Sequence, residues 1–287
     1  MPDNPLQYYR WTPAAVLRVT GADGYAFLQG QFTNDLRPLA TPAVGAGFSQ
    51  YGLWLDRKGH VQADSFVVAA PDDSFWLISY FSPATTIAGQ LNSHLIADEV
   101  EIVDVTAQWT GITLLAGGPR PVPASTEDAI HFVGRRGVEA VEVLNRGETA
   151  APAGAQPLDE AAMEQLRIAA KIPRIPEDIG PGELPNEAGL DLDAISHTKG
   201  CYLGQEVIAR LRSLGRVRRE LVRVRSTAPL ARGTKLQQAS RVLGEIRSSV
   251  PAPATAGGWI GLALLSLLNL DRTAPLVTPS GDPVAVD

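Results

Sequence analysis

From Lys199 to Arg210 the chain reads Lys-Gly-Cys-Tyr-Leu-Gly-Gln-Glu-Val-Ile-Ala-Arg, and these twelve residues hold its only cysteine, two glycines and three charged side chains. Gln205 to Leu211 consists of good helix formers, with Val207, Ile208 and Leu211 at the spacing of one apolar stripe, so a short helix is expected there. Cys201 then precedes a helix N-terminus, where unpaired N–H groups and the helix dipole favour an anion. With Lys199 two residues upstream, the thiolate is expected to form readily. Gly200 and Gly204 allow close approach or backbone conformations that a side chain would forbid. A lone cysteine is most often a small buried hydrophobe, but this one keeps the company of Lys199, Gln205 and Glu206, which points to chemistry.

At 287 residues the chain exceeds the common size of one domain, so two or three are expected. A single cysteine excludes an intrachain disulfide, and no charged-then-apolar leader follows Met1, so a reducing cytoplasm is the expected location. The longest apolar run, Ile260 to Leu270, is broken by Ser266 and Asn269 and is shorter than the roughly twenty residues that span a bilayer. It reads as a core element, and no membrane partner is expected. A net charge of −6 argues against a protein coated by nucleic acid.

Along the chain, Ala15 to Val19 alternates as a strand and Asp23 is placed to cap a helix through Phe27 and Leu28. Phe48 to Val68 reads as two strands around an Asp56-Arg57-Lys58-Gly59 turn, and Phe75 to Phe81 as a third. Ser82-Pro83 resembles a helix start, and Ile87, Leu91 and Leu95 give an amphipathic helix from Pro83 to Ile96. Glu99 to Thr106 and Gly111 to Leu115 are further strands, followed by a proline-rich connector, Gly117 to Pro123. Phe132 to Leu144 returns to extended structure around Gly134-Arg135-Arg136-Gly137. Gly147 to Pro157 reads as a loop, Asp159 to Ala170 as a capped helix, and Pro173 to Pro185 as an ordered strap. After Gly215 come short strands separated by turn residues, which predict a small antiparallel barrel or sandwich.

The stretch from Lys199 to Arg210 closely resembles the signature K-G-C-[YF]-x-G-Q-E-x-x-[AS]-R of the YgfZ family, folate-binding proteins of iron–sulfur cluster assembly and repair that are relatives of the glycine-cleavage aminomethyltransferases. Phe27 to Asp35 resembles a second signature of that family, F-L-Q-G-Q-x-T-N-D, and Arg167 to Pro173 and Pro185 to Leu190 resemble two further segments. The resemblance implies an α+β, three-lobed fold around a central channel. Residues 1–212 would form two interleaved folate-binding lobes and residues 213–287 a C-terminal β-barrel. It implies tetrahydrofolate or a derivative as cofactor, held by Asn34, Asp35, Arg167, Glu187, Lys199, Gly200, Tyr202, Gly204, Gln205, Glu206 and Arg210. Lys199 and Cys201 would be the reactive pair, with partners among iron–sulfur assembly proteins or client enzymes, including those that modify tRNA.

Two departures matter. Thr85 or Thr86 stands where the aminomethyltransferases are expected to carry the aspartate that assists methylene transfer, and no carboxylate occurs between Asp73 and Asp98, so this helix offers no general acid or base. Arg135 and Arg136 replace an acidic pair of those enzymes; they mark either an attraction for a glutamate tail or an exposed turn. His60, His94, His131 and His197 are scattered, without a metal-binding spacing. Cys201 alone cannot hold an iron–sulfur cluster, so any cluster is shared with a partner chain. The rival readings are a folate-dependent aminomethyl- or methyltransferase, and a non-catalytic adaptor that docks protein or RNA through the seven arginines between Arg210 and Arg225.

Overall fold

The structure, a computed structural model, describes residues 6–39, 49–115, 122–215 and 217–287. Two sheet layers begin within the first twenty residues, because β1 (Gln7–Trp11) and β2 (Ala15–Thr20) enter different sheets. The sheet of β2 is completed by β3 (Ser49–Leu55), β4 (Val61–Ala69), β5 (Phe75–Ser79) and β6 (Glu101–Asp104), in the order β3-β4-β5-β2-β6. Helices α1 (Gly24–Gln31) and α2 (Ala84–Asn92) cover its outer face, where Phe27, Leu28, Ile87 and Leu91 pack with Leu17, Ala63, Val67 and Leu77. The chain then returns to the first sheet with β7 (Trp109–Leu115), β8 (Ala129–Val133), β9 (Ala140–Arg146) and β10 (Gln156–Pro157), in the order β10-β1-β7-β9-β8. The inner faces of the sheets meet through Val16, Phe66, Val68 and Ile78 against Trp109, Ile130, Phe132 and Leu144. Strand β4 is therefore buried on both faces, with its apolar residues interrupted by Gln62, Asp64 and Ser65.

Helix α3 (Glu160–Ala169) leads into a turn-rich strap over residues 170–204, then helix α4 (Gln205–Leu214). The remainder is a closed antiparallel barrel of β11 (Arg219–Ser226), β12 (Lys235–Gln238), β13 (Arg241–Pro251), β14 (Trp259–Ser266), β15 (Leu276–Val277) and β16 (Pro283–Val286), ordered β11-β14-β13-β12-β15-β16. Closure leaves the short strands without a free edge. Leu53 and Leu55 of β3, Ile175 and Ile179 of the strap, Ile208 of α4 and Leu221, Leu262 and Leu264 of the barrel share one core, so the barrel is packed onto the sheets by apolar burial. The mixed fold and the C-terminal barrel agree with the expectation.

Local chemistry differs from the sequence reading at three points. Asp23 is the N-cap residue of α1, but its carboxylate accepts from the backbone N–H of Glu99 at 2.8 Å and makes no cap hydrogen bond. Pro83, extended at φ −61° and ψ 141°, is itself the N-cap of α2, because Ser82 is turned inward. The helix ends at Asn92, short of the expected Ile96, which is 93 % exposed and has nothing to pack on. Phe48 and most of the Gly117–Pro123 connector lie outside the described residues.

Candidate functional site

A cavity of about 290 Å³ opens where the rims of both sheets meet α3 and the strap. Tyr9 and Trp11 of β1, Tyr51 of β3, and Tyr80 and Phe81 just after β5 give it aromatic walls. Among these, Trp11 and Tyr80 pack edge to face with ring centroids 4.9 Å apart. Strand alternation brings Asp64 to the same cavity: on β4 it shares the face of Phe66 and Val68, which points at the other sheet. Asp64 is 4 % exposed, and its carboxylate accepts from Ser79 Oγ at 3.0 Å, Ser82 Oγ at 2.5 Å and the Tyr51 hydroxyl at 3.0 Å. Burial pushes its pKa up, against the pull of these three hydroxyls and of Arg135. Burial likewise holds the Tyr51 and Tyr80 hydroxyls well above the ordinary phenol value.

The β8–β9 turn supplies the cationic wall. Arg135 stacks on Tyr51 with its guanidinium carbon 4.7 Å from the ring centroid and donates to Asp193 Oδ2 at 2.8 and 3.1 Å. Arg136 stacks on Tyr80 at 3.6 Å and donates to the fully buried Glu142 at 3.0 Å. Gly137 adopts φ +84°, and a Cβ there would lie 2.5 Å from Ala170 Cβ and 2.8 Å from the Leu166 carbonyl, so only glycine lets the turn tuck beneath α3. The arginine pair is therefore neither an exposed turn nor a surface patch.

Of the residues expected to hold the cofactor, Arg167 lines this cavity, yet its five N–H groups are engaged. They reach Glu164, the Ile172 carbonyl, Asp178 and Ser248 Oγ at 2.7–3.1 Å, tying α3 to the strap and to β13. Glu187, buried, pairs with Arg219 at 2.8 Å through both oxygens and accepts from the Leu184 N–H, so it clamps the strap to the barrel. Asn34 donates to the carbonyls of Tyr51 and Asp193 behind the cavity wall, and Asp35 pairs with Arg37, which holds its carboxyl well below the usual range. Tyr202 and Gln205 line a separate cleft of about 420 Å³ beside His197 and Arg212. Cys201, Gly200, Glu206 and Arg210 are exposed, and Gly204 caps α4 at φ +84° with no room for a Cβ beside the Asp56 carbonyl. His197 bonds the Asp191 carbonyl.

Lys199 also has a different task from the one expected. Its ammonium donates to the carbonyls of Gln29 and Phe32 at 2.6 Å and of Asn34 at 3.1 Å, closing the C-terminal end of α1 onto the strap. Burial lowers its pKa to about 8. Its three hydrogen-bond partners are thus backbone carbonyls. Lys199→Met is expected to lower stability by about 2–4 kcal/mol, since three backbone carbonyls, that of Phe32 buried, lose their donor, and to leave ligand affinity within about threefold of the wild type. Thermal unfolding alongside calorimetric titration measures both; a selective loss of affinity would return Lys199 to the site.

Asp64, Arg174 and the tyrosines are the cavity residues that the sequence reading missed. A carboxylate within a strand that is mostly apolar was the available signal for Asp64, whereas the tyrosines come from separate strands and carry no local pattern. The cavity shares Glu160, Glu164 and Arg174 with a groove of about 740 Å³ that runs toward Arg232, Arg247 and Trp259 of the barrel region. Among the described residues no cluster of three or more His, Cys, Asp or Glu is arranged to hold a metal, and no helix is long and apolar enough to cross a membrane.

Residues 12–122 match the GCVT N-terminal domain. The chain is 27 % identical over 285 residues to the mitochondrial iron–sulfur cluster assembly factor IBA57 of Homo sapiens, covering 90 % of this chain and 76 % of that protein. It is 27 % identical over 235 residues to the tRNA-modifying protein YgfZ of Vibrio vulnificus, covering 77 % and 71 %. In solved structures it is similar to glycine cleavage system aminomethyltransferase T from Bartonella henselae, with a TM-score of 0.77, 15 % identity and coverage of 98 % and 85 %. That last likeness speaks to the fold. The expected cytoplasmic location is overturned, because the IBA57 relatives from Homo sapiens, Mus musculus and Cryptococcus neoformans are mitochondrial. A lone cysteine speaks to disulfides, and it does not tell one reducing compartment from another.

Proposed function

We propose that this chain, which carries a GCVT N-terminal domain and is homologous to the IBA57 and YgfZ proteins, supports iron–sulfur cluster assembly through a folate bound in the central cavity. The observation that carries the reading is the cavity itself: an aromatic-walled space with a buried carboxylate and stacked arginines, sharing residues with a second groove. At about 290 Å³ it is near the lower end of ligand pockets, which suits a bicyclic ring, and the groove beyond Arg174 gives the remainder of such a ligand a path. Tetrahydrofolate would supply one-carbon chemistry at N5 of its ring and at the neighbouring N10. Tyr51 and Tyr80, braced by Asp64 and Glu142, would hold the ring in plane, and Asp64 would hold or release a proton beside it.

Cys201 is exposed on the strap ahead of α4, where a partner's cluster or client can reach it. A single thiolate serves a cluster only jointly with ligands from another chain. Cys201→Ser is expected to leave folding and tetrahydrofolate binding unchanged and to reduce maturation of a cluster-dependent client at least tenfold. Calorimetry in reducing buffer and a client-maturation assay read the two effects; full activity of the variant, or no folate binding by the wild type, ends this reading. Asp64 favours a second one, folate-dependent group transfer, since it is the titratable group that α2 lacks. The adaptor reading loses ground because Arg219, Arg223 and Arg225 are each occupied by an internal partner.

A further inference from the structure

We propose that the cleft between the strap and α4 is a binding site for the carboxylate of a short peptide, one residue along the chain from the exposed Cys201. It shares no lining residue with the central cavity, so the proposal does not depend on folate. Helix α4 presents Gln205, Ala209, Arg212 and Ser213 on one face, at the spacing of successive turns, and the strap faces them with Ser196, His197 and Tyr202. At about 420 Å³ the cleft falls within the roughly 300–1,000 Å³ of small-ligand pockets. Tyr202 is the residue that points to a ligand. It is 7 % exposed and belongs to the core that includes Ile195 and Ile208, with the Lys199 ammonium 5.4 Å from its ring centroid. Its hydroxyl lines the cleft without a hydrogen-bond partner in the chain, yet it keeps accessible surface, so a ligand can reach it. Polar groups on residues this buried are normally satisfied. Burial pushes the phenol pKa up to about 12, so at neutral pH the hydroxyl has a proton to donate.

Charge decides what kind of acceptor fits. Arg135, Arg136 and Arg174 of the central cavity are each paired with a carboxylate. Arg212 is exposed and, among the described residues, has no ion-pair or hydrogen-bond partner, and the Gln205 amide is likewise unused. Among the described residues no Asp or Glu lines the cleft. A guanidinium fork, a phenol and an amide, with no carboxylate opposing them, suit the two oxygens of a carboxylate. One fixed positive charge balances a monoanion, whereas a phosphate monoester brings about 1.5–2 negative charges and would be left under-neutralised. His197 adds an acceptor. Its Nε2 donates to the Asp191 carbonyl at 3.1 Å, which leaves Nδ1 of the neutral ring to accept. A peptide supplies the matching N–H beside its carboxylate, and a simple carboxylic acid does not.

The test is calorimetric titration of the intact chain with four probes: N-acetyl-dialanine, whose carboxylate is terminal; its amide; N-acetyl-Ala-Asp-Ala-amide, whose carboxylate is on a side chain; and inorganic phosphate. At least one of the two acids is expected to bind about tenfold or more tightly than the neutral amide, and which one does tells a free chain end from an acidic segment. Tyr202→Phe deletes only the hydroxyl and is expected to weaken the acid about tenfold. Its unfolding midpoint should stay at the wild-type value, since no hydrogen bond within the chain is lost. Arg212→Met is expected to weaken the acid to a similar degree, and Arg212→Lys, which keeps the charge but not the fork, to recover only part of the loss. Equal binding of acid and amide, tighter binding of phosphate, or no saturable binding of either acid overturns the proposal, as does full acid affinity in Tyr202→Phe. Tetrahydrofolate binding should be the same in Tyr202→Phe and wild type; its selective loss in the variant would return Tyr202 to the folate site and overturn the peptide site. A wild type that binds no tetrahydrofolate but still takes the peptide acid ends the proposed function alone.

Discussion

Asp64→Asn is expected to leave the protein folded, to weaken tetrahydrofolate binding less than about tenfold, and to slow any folate-dependent one-carbon transfer by about 100-fold or more, the usual range for loss of a general acid or base. Asparagine keeps an oxygen for Ser79 and Ser82, and its amide can donate to the Tyr51 hydroxyl, which then turns to accept. The pH dependence follows from the direction of the shift. The folded-state pKa of Asp64 is raised by burial, so the folded protein holds this proton more tightly than the unfolded chain. The stability it contributes is complete below the unfolded value of about 4 and is lost as pH rises through the folded value. The asparagine variant lacks that loss, so its stability relative to wild type should rise from about pH 4 upward. Unfolding curves across that range, with single-turnover transfer assays, check both halves. A variant that transfers at the wild-type rate would exclude Asp64 from the chemistry, and a wild type without transfer would leave it a binding group.

Arg167→Met is expected to be the most destabilising single change, by about 3–5 kcal/mol, because it strands a buried carboxylate. Asp178 is fully buried and would keep only the Arg174 backbone N–H on its engaged oxygen, while Glu164 and the Ile172 carbonyl lose partners at the same time. Methionine nearly matches the aliphatic volume, so the loss measures the polar network and not a cavity. The effect should show as a fall of about 5–8 °C in the unfolding midpoint. It should also loosen the docking of the barrel on α3, since the Ser248 contact on β13 disappears. A fall below about 1 kcal/mol would mean that water replaces the guanidinium and that the barrel is held by apolar packing alone.

The sequence by itself determined most of the elements and the order in which they come. Strand alternation, the Asp56–Gly59 turn, the α3 cap and the short strands after Gly215 are local properties, set by side-chain period and turn chemistry within a few residues. The Lys199–Arg210 stretch also carried its resemblance without help from the fold. What a stretch of sequence does not contain is which face of a buried strand meets which partner. Asp64 lies on a strand whose two faces are both covered, so periodicity could not single it out as a cavity residue. Only the packing of the two sheets brought it to Tyr51, Ser79 and Ser82. The fate of the charged residues was likewise a tertiary decision. Lys199, Arg167 and Glu187 read as ligand contacts, but each lies within reach of partners 167, 11 and 32 residues away, respectively, and their hydrogen bonds are spent there. Arg135 and Arg136 read either as an attraction for a glutamate tail or as an exposed turn, and became the cavity wall because Gly137 allows the chain to fold beneath α3. Long-range pairing sets which polar groups are left over, and the leftover groups define the site.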